Sequence, residues 1–135
     1  TDAGGYNPIE LATAALLVKL SQADSEVYLE EEQAIVKALQ EHFSLRRHEA
    51  EDLVSAAEKS VDQAIDLYGY TKRLNEALEP DEKEKIIELL WRVVYSDGIK
   101  DAEEEHMVRK IADLLYVSHD GFIRTRQKVE QSLKP

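Results

Sequence analysis

Asp24 and Glu31 stand seven residues apart, and so do Asp97 and Glu104. Carboxylates in this pattern are hard oxygen ligands. With Gly98 between them, Asp97 and Glu104 match the second half of an EF-hand loop, from its fifth position to its twelfth. The loop's first two carboxylate positions fall on Val93 and Tyr95, so this turn is not an EF-hand and supplies too few oxygens alone. Pairing with Asp24 and Glu31 would give four carboxylates. Two unpaired carboxylates about 4 Å apart repel by about 4 kcal/mol at an effective dielectric near 20. Convergence therefore needs a cation, a proton or a basic side chain. Oxygen-only ligands select calcium, magnesium or manganese, with zinc less well suited.

Helix capping is the competing explanation. Asp101-Ala102-Glu103-Glu104 has the Asp-x-x-Glu form of a capping box, and three glutamates in a first turn favour the helix dipole. In the other copy Tyr28 replaces the Asp101 cap, so Glu31 has no capping-box partner. Both readings stay open at this point.

The carboxylates belong to an internal repeat. Sliding the chain by 73 residues lays Leu16–Leu20 over Leu89–Val93, Ala23-Asp24-Ser25 over Ser96-Asp97-Gly98, and Glu30-Glu31-Glu32 over Glu103-Glu104-Glu105. A shift in register by one then pairs Phe43 and Leu45 with Leu115 and Val117. The unit is an apolar helix, a turn opening with Asp, and a helix opening with three Glu. Two such units typically pack about a pseudo-two-fold axis.

The elements that must position these residues all read as helices. Asn7 caps and Pro8 opens a helix over 8–22 that is apolar nearly all round, the mark of a buried central helix. Further helices are predicted over 29–42, 47–59 and 61–78. Pro80 with Asp81 and Glu82 opens the next, through Val94; Asp101 caps one carrying Met107 to Leu115; Ser118 caps the last, to about Leu133. No segment alternates with period two. The expected fold is all-α, about seven helices with the two repeats around a central helix pair. The expected domains are a flexible leader over 1–7 and one helical domain over 8–134.

The run Leu67-Tyr68 to Asn75, then Glu88-Leu89-Leu90-Trp91-Arg92-Val93, Ser96-Asp97-Gly98 and Ile111-Ala112-Asp113-Leu114-Leu115 resembles the TerB-like family of tellurite-resistance-associated proteins. The similarity covers about 8–129. It implies an all-helical fold with a repeated Asp-Gly-x-x-x-x-x-Glu element proposed to hold a metal ion. Asp97, Gly98 and Glu104 match this element in full. Asp24 and Glu31 match as well, but Ser25 stands in place of the glycine.

Composition narrows the function classes. A net charge of −11 over 135 residues argues against binding nucleic acid or an anionic membrane, and favours cations or a basic protein partner. With no cysteine, disulfides, thiolate metal sites and reduction of tellurite by the chain's own thiols are excluded. No apolar run is long enough to span a bilayer and no signal-peptide series opens the chain, so a cytoplasmic protein is expected. Glu103-x-x-His106 has di-iron spacing without the second motif that architecture needs, and His48-Glu49 lacks a zinc protease's second histidine. Both histidines are expected at the surface, Trp91 in the core, and only one of Tyr68 and Tyr70 facing inward. No nucleophile–base pair or cofactor motif is present. The expectation is a non-catalytic binding module of a bacterial stress-response family, holding a divalent cation through Asp24, Glu31, Asp97 and Glu104. The alternative is a metal-free module that docks a protein on its acidic surface.

Overall fold

The computed structural model describes residues 5–23, 29–96 and 102–134, with the side chains of Leu29 and Glu30 excepted. Among these residues there are seven α-helices and no strand: α1 (Pro8–Ser21), α2 (Leu29–Phe43), α3 (Arg47–Gln63), α4 (Tyr68–Ala77), α5 (Pro80–Val94), α6 (Ala102–Leu114) and α7 (His119–Ser132).

α1 starts where its chemistry dictates. The Asn7 side chain accepts from the amides of Ile9 (2.8 Å) and Glu10 (3.2 Å), and Pro8 fills the first helical position, where no amide hydrogen is needed. Leu11 to Val18, Leu20 and Ser21 are buried on every side. Only a helix surrounded by others can bury so much, and α1 packs against α2, α3, α4, α5 and α6. α5 is the second central helix. It buries Ile86, Ile87, Leu89, Leu90, Trp91, Val93 and Val94 against α1, α2, α6 and α7.

The spacing of elements follows the spacing in the sequence. Ser21 and Val94 end α1 and α5, and Leu29 and Ala102 begin α2 and α6, each pair 73 residues apart. Arg47 and His119 begin α3 and α7, 72 apart. The one-residue change falls at the ends of α2 and α6, and both finish alike. Ser44 (φ 57°) and Tyr116 (φ 59°) adopt the left-handed conformation. Beyond them the amides of Leu45 and Val117 reach back to the carbonyls of Gln40 (3.0 Å) and Ala112 (2.9 Å). These are Schellman ends, in which the apolar residue after the left-handed one folds back onto the core. A non-glycine residue is strained there, so Ser44→Gly is expected to stabilise the protein by about 0.5–1 kcal/mol. A lowered thermal midpoint for this variant would refute that account.

α7 is held to α5 by a ladder and a close approach. Glu84 accepts from Arg124 (2.8 Å) and Glu88 pairs with Lys128 (3.1 Å). Ser118 caps α7 at the Gly121 amide (3.1 Å). A Cβ on Gly121 would lie 3.1 Å from both the Glu84 carboxylate and Val117, so glycine is what lets α7 sit this close. α4 links the two halves, and its Asn75 side chain donates to the Leu114 carbonyl at the end of α6 (2.9 Å).

One boundary differs from the sequence reading. A helix was expected over 61–78, yet α3 continues to Gln63 and α4 starts only at Tyr68. Between them Asp66 accepts from the Tyr68 amide (2.9 Å), a local turn that competes with helix. Of the apolar residues expected to form one stripe, Leu67 is buried while Ile65 is fully exposed. Tyr70 faces the core and Tyr68 faces solvent, so the two tyrosines do divide between inside and outside.

Candidate functional site

α2 and α6 each place one glutamate of their first turn on the face that meets the core. On α2 the buried positions are Glu31, Ile35, Ala38 and Leu39. On α6 they are Glu104, Val108, Ile111 and Ala112. Counting back one helical turn from Ile35 and from Val108 lands on the two glutamates. Their exposures are 2% and 3%. Neighbouring Glu32 and Glu103 point to solvent.

Capping alone does not require this burial, as the chain's described capping glutamates show. Glu49 accepts from the Arg46 amide and Glu82 from the Glu79 amide, each at 2.8 Å. Both stay exposed to water. Glu31 and Glu104 occupy comparable first-turn positions but are drawn inside. Glu31 Oε1 meets no hydrogen-bond donor among the described residues. Removing a carboxylate from water costs several kcal/mol unless a cation or several donors replace the lost hydration.

A second acidic pair lies beside each start. Burial, with the charges of Glu32 and Asp62, pushes the Glu58 carboxyl up from the usual range, which places α2's first turn beside α3. In the other half Tyr95 donates to Glu130 (2.5 Å), with Glu105 close enough to act on the same hydroxyl. Glu32 and Glu105 are 73 residues apart, and Glu58 and Glu130 are 72 apart. Sequence reasoning missed Glu58 and Glu130. Carrying the one-residue register shift beyond Leu45 into α3 and α7 superimposes them.

Burial, the hydrogen bond to Glu130 and that carboxylate's charge all raise the Tyr95 phenol far above its ordinary value of 10.0. The folded state thus holds this proton more tightly than the unfolded chain does. The stabilisation is complete below about pH 10 and drains away as pH rises beyond it, because the unfolded state ionises first. Absorbance titration is expected to show one tyrosine resisting ionisation, and Glu130→Gln is expected to bring it back towards the others. An unchanged titration in that variant would rule out the assignment.

Asp24 and Asp97, with Gly98 and the Asp101 cap, lie outside the described residues, so the structure describes Glu31 and Glu104 alone of the four expected ligands. Among the described residues no three His, Asp or Glu side chains gather closely enough to hold a metal ion. His48 and His106 are exposed, as expected, and Trp91 is fully buried.

A family model described as Tellurite resistance protein TerB matches residues 10–127. The chain belongs to the TerB family. The TerB match runs from the first turn of α1 well into α7 and takes in both acidic helix starts. No curated protein and no solved structure matches the chain. Among the described residues no helix of this TerB domain is long and apolar enough to cross a membrane.

Proposed function

We propose that this TerB-family chain is a non-catalytic binding module of a bacterial tellurite-resistance-associated system. In this reading it takes a divalent cation through Asp24 and Glu31 in one unit and Asp97 and Glu104 in its copy. The observation that supports it is the burial of Glu31 and Glu104 at matching positions, with Glu31 Oε1 lacking a hydrogen-bond donor among the described residues. A hard cation at the helix start would replace the hydration that the Glu31 carboxylate gave up. Calcium, magnesium and manganese suit an all-oxygen set better than zinc. Calorimetric titration with each metal is expected to give saturable heat for at least one hard cation, reversed by chelator. No heat at millimolar metal would end the ligand assignment.

A second reading needs no metal. The net charge of −11, together with Tyr116 at 82% exposure, favours an acidic surface that docks a basic protein partner. Such a complex would weaken with salt and ignore chelator. The cation reading predicts the reverse sensitivity.

A further inference from the structure

A groove of about 810 Å³ runs between α3 and α4, and neither Glu31 nor Glu104 lines it. One wall is a single face of α3, where Asp52, Ser55, Lys59 and Gln63 recur at three- and four-residue intervals, with Ser60 beside them. Gly69 and Tyr70 of α4 stand in the other wall. A face of α3 at this spacing would normally be apolar if α4 covered it, yet here it is hydrophilic and open. The face of α3 that does pack carries Ala50, Leu53, Ala57 and Val61.

The charges in the groove fix what fits. Four charged residues line it: Asp66 is held by the Tyr68 amide and Arg73 has a partner of its own, which leaves Asp52 and Lys59. Neither is in an ion pair with a described residue, and they lie about 10 Å apart along seven residues of helix. Ser60 Oγ and Tyr70 Oη lie 2.6 Å apart, near the Lys59 end of the groove. In that bond one hydroxyl donates to the other, so the accepting hydroxyl keeps its own hydrogen for a further acceptor. An anion and a cation about 10 Å apart complement a zwitterion of that length. A free amino acid is too short, because its two charges sit on one residue. An extended peptide advances about 3.3–3.6 Å per residue, so three residues span the distance. The protein's overall field repels a simple anion and is indifferent to a neutral zwitterion.

We propose that this groove binds a short zwitterionic peptide of about three residues, its ammonium at Asp52 and its carboxylate at Lys59. The Ser60–Tyr70 pair donates its remaining hydroxyl hydrogen to a peptide carbonyl, and the half-buried Tyr6 offers apolar surface to a side chain. The site is independent of the cation reading.

The test uses the whole chain, nitrogen-15 labelled, titrated with trialanine, N-acetyl-trialanine and trialanine amide. Saturable shifts at Ser55, Lys59, Ser60 and Gly69 are expected with trialanine. Blocking either terminus is expected to weaken binding roughly fivefold, the size of one exposed charge contact. Asp52→Asn is expected to make the protein indifferent to acetylation, and Lys59→Gln indifferent to amidation. A Cβ at Gly69 meets no atom within 4 Å, so this position can carry a side chain, and Gly69→Phe is the variant chosen to occupy the groove. That variant is expected to lose the shifts at an unchanged thermal midpoint. Absence of saturable shifts in the wild-type protein, or equal binding of all three peptides, would overturn the proposal.

Discussion

Replacing Trp91 with alanine is expected to lower the unfolding free energy by about 3–5 kcal/mol, a large part of the roughly 5–15 kcal/mol that holds a domain folded. Trp91 is fully buried in α5. Its ring stacks on Tyr95 at 6.0 Å, meets Phe122 of α7 at 5.2 Å and takes the Arg126 guanidinium over its face at 6.0 Å. Truncation opens a void against α7, and neighbours drawn from two helices cannot close it without moving a backbone. Trp91→Phe should cost far less. The buried indole N–H finds no acceptor among the described residues, and an unmet donor of that kind is worth about 1–3 kcal/mol. Phenylalanine gives up contact area but removes that penalty. Chemical denaturation followed by circular dichroism decides the matter, since both variants lose the sole tryptophan as a fluorophore. Equal losses for alanine and phenylalanine would show that packing around the ring is not what matters.

A divalent cation at a hundredfold its dissociation constant is expected to stabilise the protein by about 2.7 kcal/mol if it binds only the folded state. At this chain length that corresponds to a rise of about 8–13 °C in the thermal midpoint. Glu31→Gln and Glu104→Gln keep the shape of the side chain and remove its charge, so each tests one end. Should both units grip one ion, either variant abolishes the rise. With a separate ion at each end, either variant halves the stoichiometry and leaves the other site intact. If both variants keep the full rise, Glu31 and Glu104 are not ligands. Without metal, Glu31→Gln should not destabilise greatly, since it removes a buried charge whose Oε1 meets no donor among the described residues.

Helix starts were legible wherever a side chain makes them. Asn7 with Pro8, Pro80 and Ser118 mark α1, α5 and α7 within a residue. The break between α3 and α4 was not legible, because Ile65 with Tyr68, and Leu67 with Leu74, keep helical spacing across it. What breaks the helix is an aspartate turning back on its own chain, and propensity alone does not distinguish that Asp66 from one on a solvated face. The acidic runs were half legible. Three consecutive glutamates read as a favourable helix start, which describes Glu103 well enough. Which of the three turns inward depends on the phase of the apolar stripe further along, Ile35 with Leu39 and Val108 with Ile111, and that phase is written in the sequence. How far apart the two inward glutamates lie depends on how α1 and α2 pack on α5 and α6, and no local pattern encodes it.

The Asn75 side chain, bonded to the last carbonyl of α6, bears on what the two matching halves amount to. α6 ends with help from α4, an element of the other half. α1 also lies against both α5 and α6. Cut at Leu78, the chain would yield one fragment with its most apolar helix uncovered and another with a helix end missing an outside donor. The matching units are therefore not interchangeable modules. The fragments would recover structure by complementing each other, and neither would do so by pairing with a second copy of itself.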